Sequence, residues 1–341
     1  MIMENTLVSV LMCFYNEKEC FLRKSIESIL NQTYRNIEFV IIGDCPPNNN
    51  LPNVVREYMA KDSRIHYFQN EVNLGLTKSL NKGLSLCKGE YVVRMDADDI
   101  SLPDRIQKQV CYMDKHPKVF ASGGGGYAID ENDNIIRRIE VPTGYKQLLK
   151  TSLTTSPLLH PSAILRCNEK SSVSYDENFR YAQDYALWIS LMEKDLRSVT
   201  NIKAPLIKYR YSSGQIFTKH KEEQQACADR LLKRIEKLYN LIIPEENDKT
   251  WKSLLRGRDL CDEQYEPYLE FISNFRKMNS HVSGFIRRYI TNLLIVHFLT
   301  FEKNSCNKSI ISFKYITYSM RECCFNIRYL MLCFMVDLKS I

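Results

Sequence analysis

Three carboxylates fall within four positions at Asp96, Asp98 and Asp99, directly after the apolar, β-forming run Tyr91-Val92-Val93-Arg94-Met95. Carboxylates crowded in this way repel one another, so a folded chain either spreads them into solvent or sets a divalent cation among them. A solvated acidic loop is the simpler alternative, but the abrupt end of a buried strand favours the cation. A second polar landmark is Tyr175-Asp176-Glu177-Asn178-Phe179-Arg180-Tyr181-Ala182-Gln183-Asp184. Its last residue opens an amphipathic stretch bearing Leu187, Trp188 and Leu191. On local grounds alone, Asp184 could simply complement the dipole of that helix.

The elements that must position these groups are legible as alternating patterns. Leu7 to Met12 reads as a buried strand followed by the polar loop Tyr15-Asn16-Glu17, then a helix with Leu22, Ile26, Ile29 and Leu30 on one face. Ile37 to Ile42 is a second strand, closed by Gly43-Asp44-Cys45-Pro46-Pro47, and Ile65 to Phe68 a third. Asn73-Leu74-Gly75 leads into a helix carrying Leu76, Leu80 and Leu84. This β-α-β-α order predicts an α/β fold with a doubly wound, mostly parallel sheet. Parallel strands end at one edge, where ligands bind, so the loops at Tyr15, Asp44 and Asp96 are expected to converge.

Further along, Arg105 to Lys115 continues as a helix, and Val119 to Gly126 and His160 to Arg166 read as strands. The four glycines at Gly123 to Gly126 lack a following Gly-Lys-Ser/Thr, which favours a flexible or closely packed backbone over a phosphate loop. Leu206 to Tyr211 reads as the last strand. From about Lys219 the chain turns helical and charged, placing a domain boundary after residue 217, with a helical extension over 218–341. Glu222 to Tyr239, Glu263 to Lys277 and the region from Phe285 onward have helical spacing.

Composition sets outer limits. The 341 residues are 44% hydrophobic and 26% charged, as in a globular protein. The twelve cysteines show no C-x-x-C pair and suggest reduced thiols rather than a zinc or disulfide framework. No secretory signal is evident at the N-terminus, which points to the cytoplasm. The net charge of +7 resides in the C-terminal tail, where ten Lys/Arg face three Asp/Glu from Arg276 onward. Only 13 uncharged residues separate Arg288 from Glu302, too few to span a bilayer. A basic, aromatic, amphipathic tail fits the surface of an anionic membrane at the inner face of the cell membrane; a helical subdomain or a homo-oligomer interface are the alternatives. The basic residues are interrupted by long apolar stretches, and no nucleic-acid-binding motif appears.

Taken together, Val8 to Met12 with Tyr15-Asn16-Glu17, Ser25 to Tyr34, Asn73-Leu74-Gly75-Leu76, Met95-Asp96-Ala97-Asp98-Asp99, His160-Pro161-Ser162 and Gln183-Asp184-Tyr185-Ala186-Leu187-Trp188 resemble the family 2 glycosyltransferases of GT-A fold, including those of bacterial surface polysaccharides. The resemblance covers about Leu7 to Gln215. It implies that Asp98 ligates a divalent metal, Mn2+ or Mg2+, and that Asp96 contacts the donor ribose or the metal shell. It also implies that Tyr15, Glu17, Asp44 and Asn73 line the nucleotide pocket, and that Asp184 is the base. The donor expected is a UDP-sugar carrying a hexose or N-acetylhexosamine. The acceptor expected is a hydroxyl of a lipid-linked saccharide. Two positions depart from the pattern: Gly43 stands where relatives commonly carry Asp, and Gln183 replaces the usual Glu.

The chemistry follows from the groups. A hydroxyl is a poor nucleophile at neutral pH, so a carboxylate must take its proton as the new bond forms. Direct displacement needs no second carboxylate nucleophile, and inversion at the anomeric carbon is expected. His160 either approaches the metal or pyrophosphate, or is a hydrogen-bonded structural histidine. Arg94 either orients the carboxylates or forms a buried structural ion pair. Trp188 either lines an acceptor pocket or packs in the core. A protein that keeps the fold and binds nucleotide sugar without turnover is the competing function.

Overall fold

The computed structural model describes residues 6–46, 49–167, 173–211, 221–256 and 265–304. Strand β1 (Val8–Phe14) is buried along its whole length, because β2 (Ile37–Gly43) and β4 (Tyr91–Asp96) pair with it in parallel on either side. A strand enclosed in this way reads as a continuous apolar run rather than an alternation, as Val-Ser-Val-Leu-Met-Cys-Phe does. β3 (Ile65–Gln69) pairs in parallel with β2 and forms the edge, with only Ile65 buried. Helices α1 (Glu19–Leu30), α2 (Leu51–Met59) and α3 (Leu76–Leu86) make the crossovers. In α1, Phe21, Leu22, Ser25, Ile26 and Ile29 form the buried stripe.

Beyond β4 the sheet becomes mixed. With β5 (Ile100–Ser101), β6 (Ala121–Ile129), β7 (Ile135–Ile139), β8 (Ile164–Arg166) and β9 (Val199–Arg210), the order is β3-β2-β1-β4-β8-β6-β9-β5, and β7 pairs with β6. β5 is a two-residue strand antiparallel to β9, and α4 (Arg105–Lys115) follows it. β8 runs antiparallel to β4 and β6, while β6 and β9 are parallel. The strand expected from His160 is shorter than its sequence suggested. Pro161 has no N–H and a fixed φ, so His160–Ser162 forms a 3-10 turn before β8 begins. The four glycines lie inside β6, where side chains at Gly125 and Gly126 would overlap the carbonyl oxygens of Ile139 and Ile207. Close packing of neighbouring backbones therefore explains Gly125 and Gly126, at the point where the β6–β9 register shifts, while side chains of Asn201 and Leu206 crowd Gly123 and Gly124. Helix α5 (Tyr145–Thr151) and helix α6 (Gln183–Lys194) complete the layers around this half of the sheet.

The chain divides into two compact units, Met1–Ile235 and Glu236–Ile341. Helix α7 spans Lys221–Leu238. In the second unit, α8 (Asp248–Arg256), α9 (Tyr265–Met278) and α10 (Gly284–Asn304) pack together. Trp251 is fully buried there, donates to Glu236 Oε1 at 2.8 Å and stacks on Phe275 at 5.7 Å between ring centroids. Ile286, Ile290 and Leu294 of α10 are buried within this unit. The rest of the basic tail, residues 305–341, lies outside the described residues. Among the described residues, no helix is long and apolar enough to cross a membrane.

Candidate active site at the carboxyl edge of the sheet

β4 ends at Asp96, and the turn before β5 carries Asp98 and Asp99. Ala97 between them is buried, while Asp96 and Asp98 are partly open and Asp99 is fully enclosed. Carboxylate oxygens of all three lie within 4.8 Å of one another. The buried guanidinium of Arg94, two residues upstream, ion-pairs with Asp96. Asp99 Oδ1 accepts from the Arg210 backbone N–H at 2.8 Å, whereas its buried Oδ2 has no hydrogen-bond partner. Burial, then the charges of Asp96 and Glu17, pushes the Asp98 carboxyl up to about 7. Burial, Asp96 and Asp98 raise Asp99 well above the carboxylate range. Hard oxygen donors, mutual repulsion and an uncompensated buried oxygen are together what a divalent cation would relieve, so these residues fit one.

The neighbouring loops meet the same edge. The Asp44 N–H donates to Phe14 O at 2.9 Å, joining the ends of β1 and β2. Asp44 is buried, and its carboxylate is engaged from both sides. Oδ1 accepts from Asn70 Nδ2 at 2.7 Å and Leu74 N at 2.8 Å, and Oδ2 accepts from Gly75 N at 2.8 Å. Asn73 Oδ1 also accepts from Gly75 N, at 2.9 Å. Asp44 and Asn73 thus shape the loop that turns through Gly75, whose φ of 80° is open to glycine. Tyr15 is 47% exposed, and its N–H donates to Glu17 Oε2 at 2.8 Å. Burial raises the Glu17 carboxyl against that hydrogen bond, and Asp96 adds to the rise. At Gly43 a side chain would meet Gln69 Oε1 and the Tyr67 hydroxyl at 2.6 Å each. Those two side chains occupy the space that an acidic residue at position 43 would need.

The third part of the site comes from later in the chain. Asp184 opens α6 and accepts from Ser156 Oγ at 3.0 Å. Burial raises its carboxyl above the ordinary range, while the Tyr185 backbone N–H, then the Ser156 hydroxyl and the charge of Arg94, work against that rise. Arg94 therefore acts electrostatically on both the Asp98–Asp99 pair and Asp184. His160, one of the expected metal ligands, is outside the carboxylate group: its Nε2 is 2.8 Å from the Tyr175 hydroxyl. Its ring also meets Tyr175 and Trp188 edge-on, with centroids 5.5 and 6.1 Å away. Burial, reinforced by Arg94, holds its pKa well below the usual histidine value, so it is neutral. Trp188 is fully buried and packs in the core instead of lining an acceptor pocket. Ser156 and Arg210 were not singled out by the sequence, since each acts on a group 28 or 111 residues away, and Tyr175, within the second polar landmark, was given no role of its own.

This mixed α/β sheet, with a carboxylate group at the carboxyl end of its parallel half, has the GT-A architecture. The family model described as glycosyl transferase family 2 matches residues 9–171. An uncharacterized glycosyltransferase of Methanocaldococcus jannaschii is 38% identical over 61% of this chain and 72% of its own length. The Escherichia coli UDP-Glc:alpha-D-GlcNAc-diphosphoundecaprenol beta-1,3-glucosyltransferase WfgD is 27% identical over 70% of this chain and 92% of its own. In fold, the chain resembles residues 1–349 of TarS from S. aureus, crystallised with UDP-GlcNAc, with a TM-score of 0.57 at 17% identity. That likeness covers 87% of this chain and 90% of TarS 1–349. The chain belongs to glycosyl transferase family 2, and it is a glycosyltransferase.

Proposed function

We propose that the protein transfers a hexose or N-acetylhexosamine from a UDP-sugar to a hydroxyl of a lipid-linked saccharide, with inversion, in the assembly of a surface polysaccharide. One observation carries this reading: Arg94, ion-paired with a three-carboxylate group suited to a cation, also acts electrostatically on the raised, hydrogen-bonded carboxylate of Asp184. The substrate classes named for WfgD, and the UDP-GlcNAc bound to TarS, support the choice of donor and acceptor.

Asp98, with Asp96 and Asp99, would hold Mn2+ or Mg2+. When bound, such a cation neutralises charge developing on the departing diphosphate. Tyr15 and Glu17 at the end of β1, and the Asn70–Gly75 loop held by Asp44 and Asn73, would cradle the nucleotide. Asp184 takes the acceptor proton while the acceptor oxygen bonds to the anomeric carbon. The bond from that carbon to the diphosphate breaks, and its electron pair leaves with UDP. A positioned base of this kind contributes about 10²–10⁴-fold. A carboxyl raised by burial is the stronger base once ionised, which suits the role. The lipid-linked acceptor places the enzyme at the membrane surface, with contact through the basic tail.

The test is transfer from an α-linked UDP-sugar to a lipid-linked acceptor, followed by NMR of the product. A β-linked product is expected; retention of the α configuration would overturn direct displacement.

A further inference from the structure

Arg210, the last residue of β9, is fully buried, and its bonds connect two separate loops. Its backbone N–H donates to Asp99 Oδ1 at 2.8 Å, and its Nε donates to the Asp98 carbonyl at 2.8 Å. The same guanidinium reaches the other way, into the turn between β6 and β7. Nη1 donates to the Asp130 carbonyl at 2.7 Å, and Nη2 ion-pairs with Asp133 at 2.6 Å. Its flat face lies 4.1 Å from the centroid of the Phe21 ring.

The turn itself is built to present Asp133. Asp130 Oδ1 accepts from the N–H groups of Asn132 and Asn134 at 2.8 and 2.9 Å. Asp133 adopts φ 70°, a left-handed conformation that is uncommon outside glycine and persists only where its surroundings hold it. Lys24 of α1 ion-pairs with the same Asp133 carboxylate, and Lys18 pairs with Glu131 at 2.6 Å. A buried guanidinium with its planar fork spread over two loops fixes their separation, as a lysine could not.

We infer that Arg210 and the Asp130–Asn134 turn form a clasp that sets the position of the Asp98–Asp99 loop. Asp133 is thereby a remote positioning residue for the divalent cation, although its own carboxylate belongs to a different hairpin. The inference rests on the reading that Asp96, Asp98 and Asp99 hold that cation. Partners that orient ligating carboxylates typically change metal affinity by about 10–100-fold when altered.

The experiment titrates Mn2+ into the full chain with UDP and follows free Mn2+ by electron paramagnetic resonance, beside UDP binding without metal. Arg210→Lys is expected to weaken Mn2+ binding by about tenfold or more. Asp133→Asn, which suits the left-handed backbone and preserves folding, is expected to weaken it in the same direction by a smaller factor. Glu131→Ala, in the same turn but with its carboxylate paired to Lys18 rather than to Arg210, is expected to leave it unchanged, and metal-free UDP affinity is expected to hold in all three. Loss of Mn2+ binding in Asp98→Asn alone, with Arg210→Lys and Asp133→Asn like the parent, would overturn the clasp and leave the cation reading standing. No Mn2+ binding by the parent, or none lost in Asp98→Asn, would overturn both.

Discussion

Removing the Ser156 hydroxyl is expected to move the pH dependence of transfer without touching substrate-binding groups. Ser156 Oγ has one proton and two acceptors in reach, Asp184 Oδ2 at 3.0 Å and the Leu158 carbonyl at 3.1 Å. Donation to Asp184 stabilises the ionised base, and the Leu158 carbonyl receives the proton once the base is protonated. A hydrogen bond to a charged group contributes about 1.5–3 kcal/mol; with the proton shared and the site partly open, the lower end applies. One pKa unit corresponds to about 1.4 kcal/mol, so Ser156→Ala is expected to raise the apparent pKa of the base by about one unit. A raised pKa delays ionisation, so the acid limb of kcat/KM shifts to higher pH. Below the limb the variant is about tenfold slower, and above it the two profiles converge. Ser156→Thr, which keeps the hydroxyl, is expected to restore the parental limb. The assay is UDP release with donor and acceptor across a pH series. An unmoved limb in Ser156→Ala, with activity otherwise intact, would refute the role given to this hydrogen bond.

Two structural perturbations have equally definite outcomes. Asp44→Ala strips acceptors from Asn70 Nδ2, Leu74 N and Gly75 N, a loss of about 3 kcal/mol across partly exposed bonds, and isothermal titration is expected to show UDP affinity reduced by tenfold or more. Gly126→Ala drives a methyl into the Ile207 carbonyl between paired backbones, where nothing can yield, and is expected to lower Tm by about 5 °C or more in calorimetry. Gly144→Ala, whose nearest neighbour would be Gln147 Oε1 at 3.4 Å, is expected to leave Tm nearly unchanged.

The parallel half of the sheet was readable because enclosed strands such as Val8–Phe14 and Ile37–Gly43 leave nearly continuous apolar runs, interrupted by Ser9 and Glu38. The carboxylate group was readable for a related reason: Asp96, Asp98 and Asp99 are close in sequence, so their crowding needs no tertiary knowledge. β5 was not, since two residues carry no period, and β7 was not, since Ile135 and Ile136 are both exposed. Pro161 shortened a strand that His160 to Arg166 otherwise suggested. Side-chain partners were the least legible level. His160 is neutral and bound to Tyr175, and Trp188 is enclosed, facts set by what folds against them rather than by their own neighbours in the chain. Arg210 gave no local signal because its partners lie near positions 98 and 130.

The central claim is that one edge of the sheet holds the donor while Asp184 activates the acceptor. Its most direct measurement compares Asp184→Asn with the parent for UDP affinity by titration and for sugar transfer to a lipid-linked acceptor in Mn2+. Transfer reduced by about 10²–10⁴-fold, with UDP affinity nearly unchanged, is the result predicted. Transfer at the parental rate in the variant would contradict it.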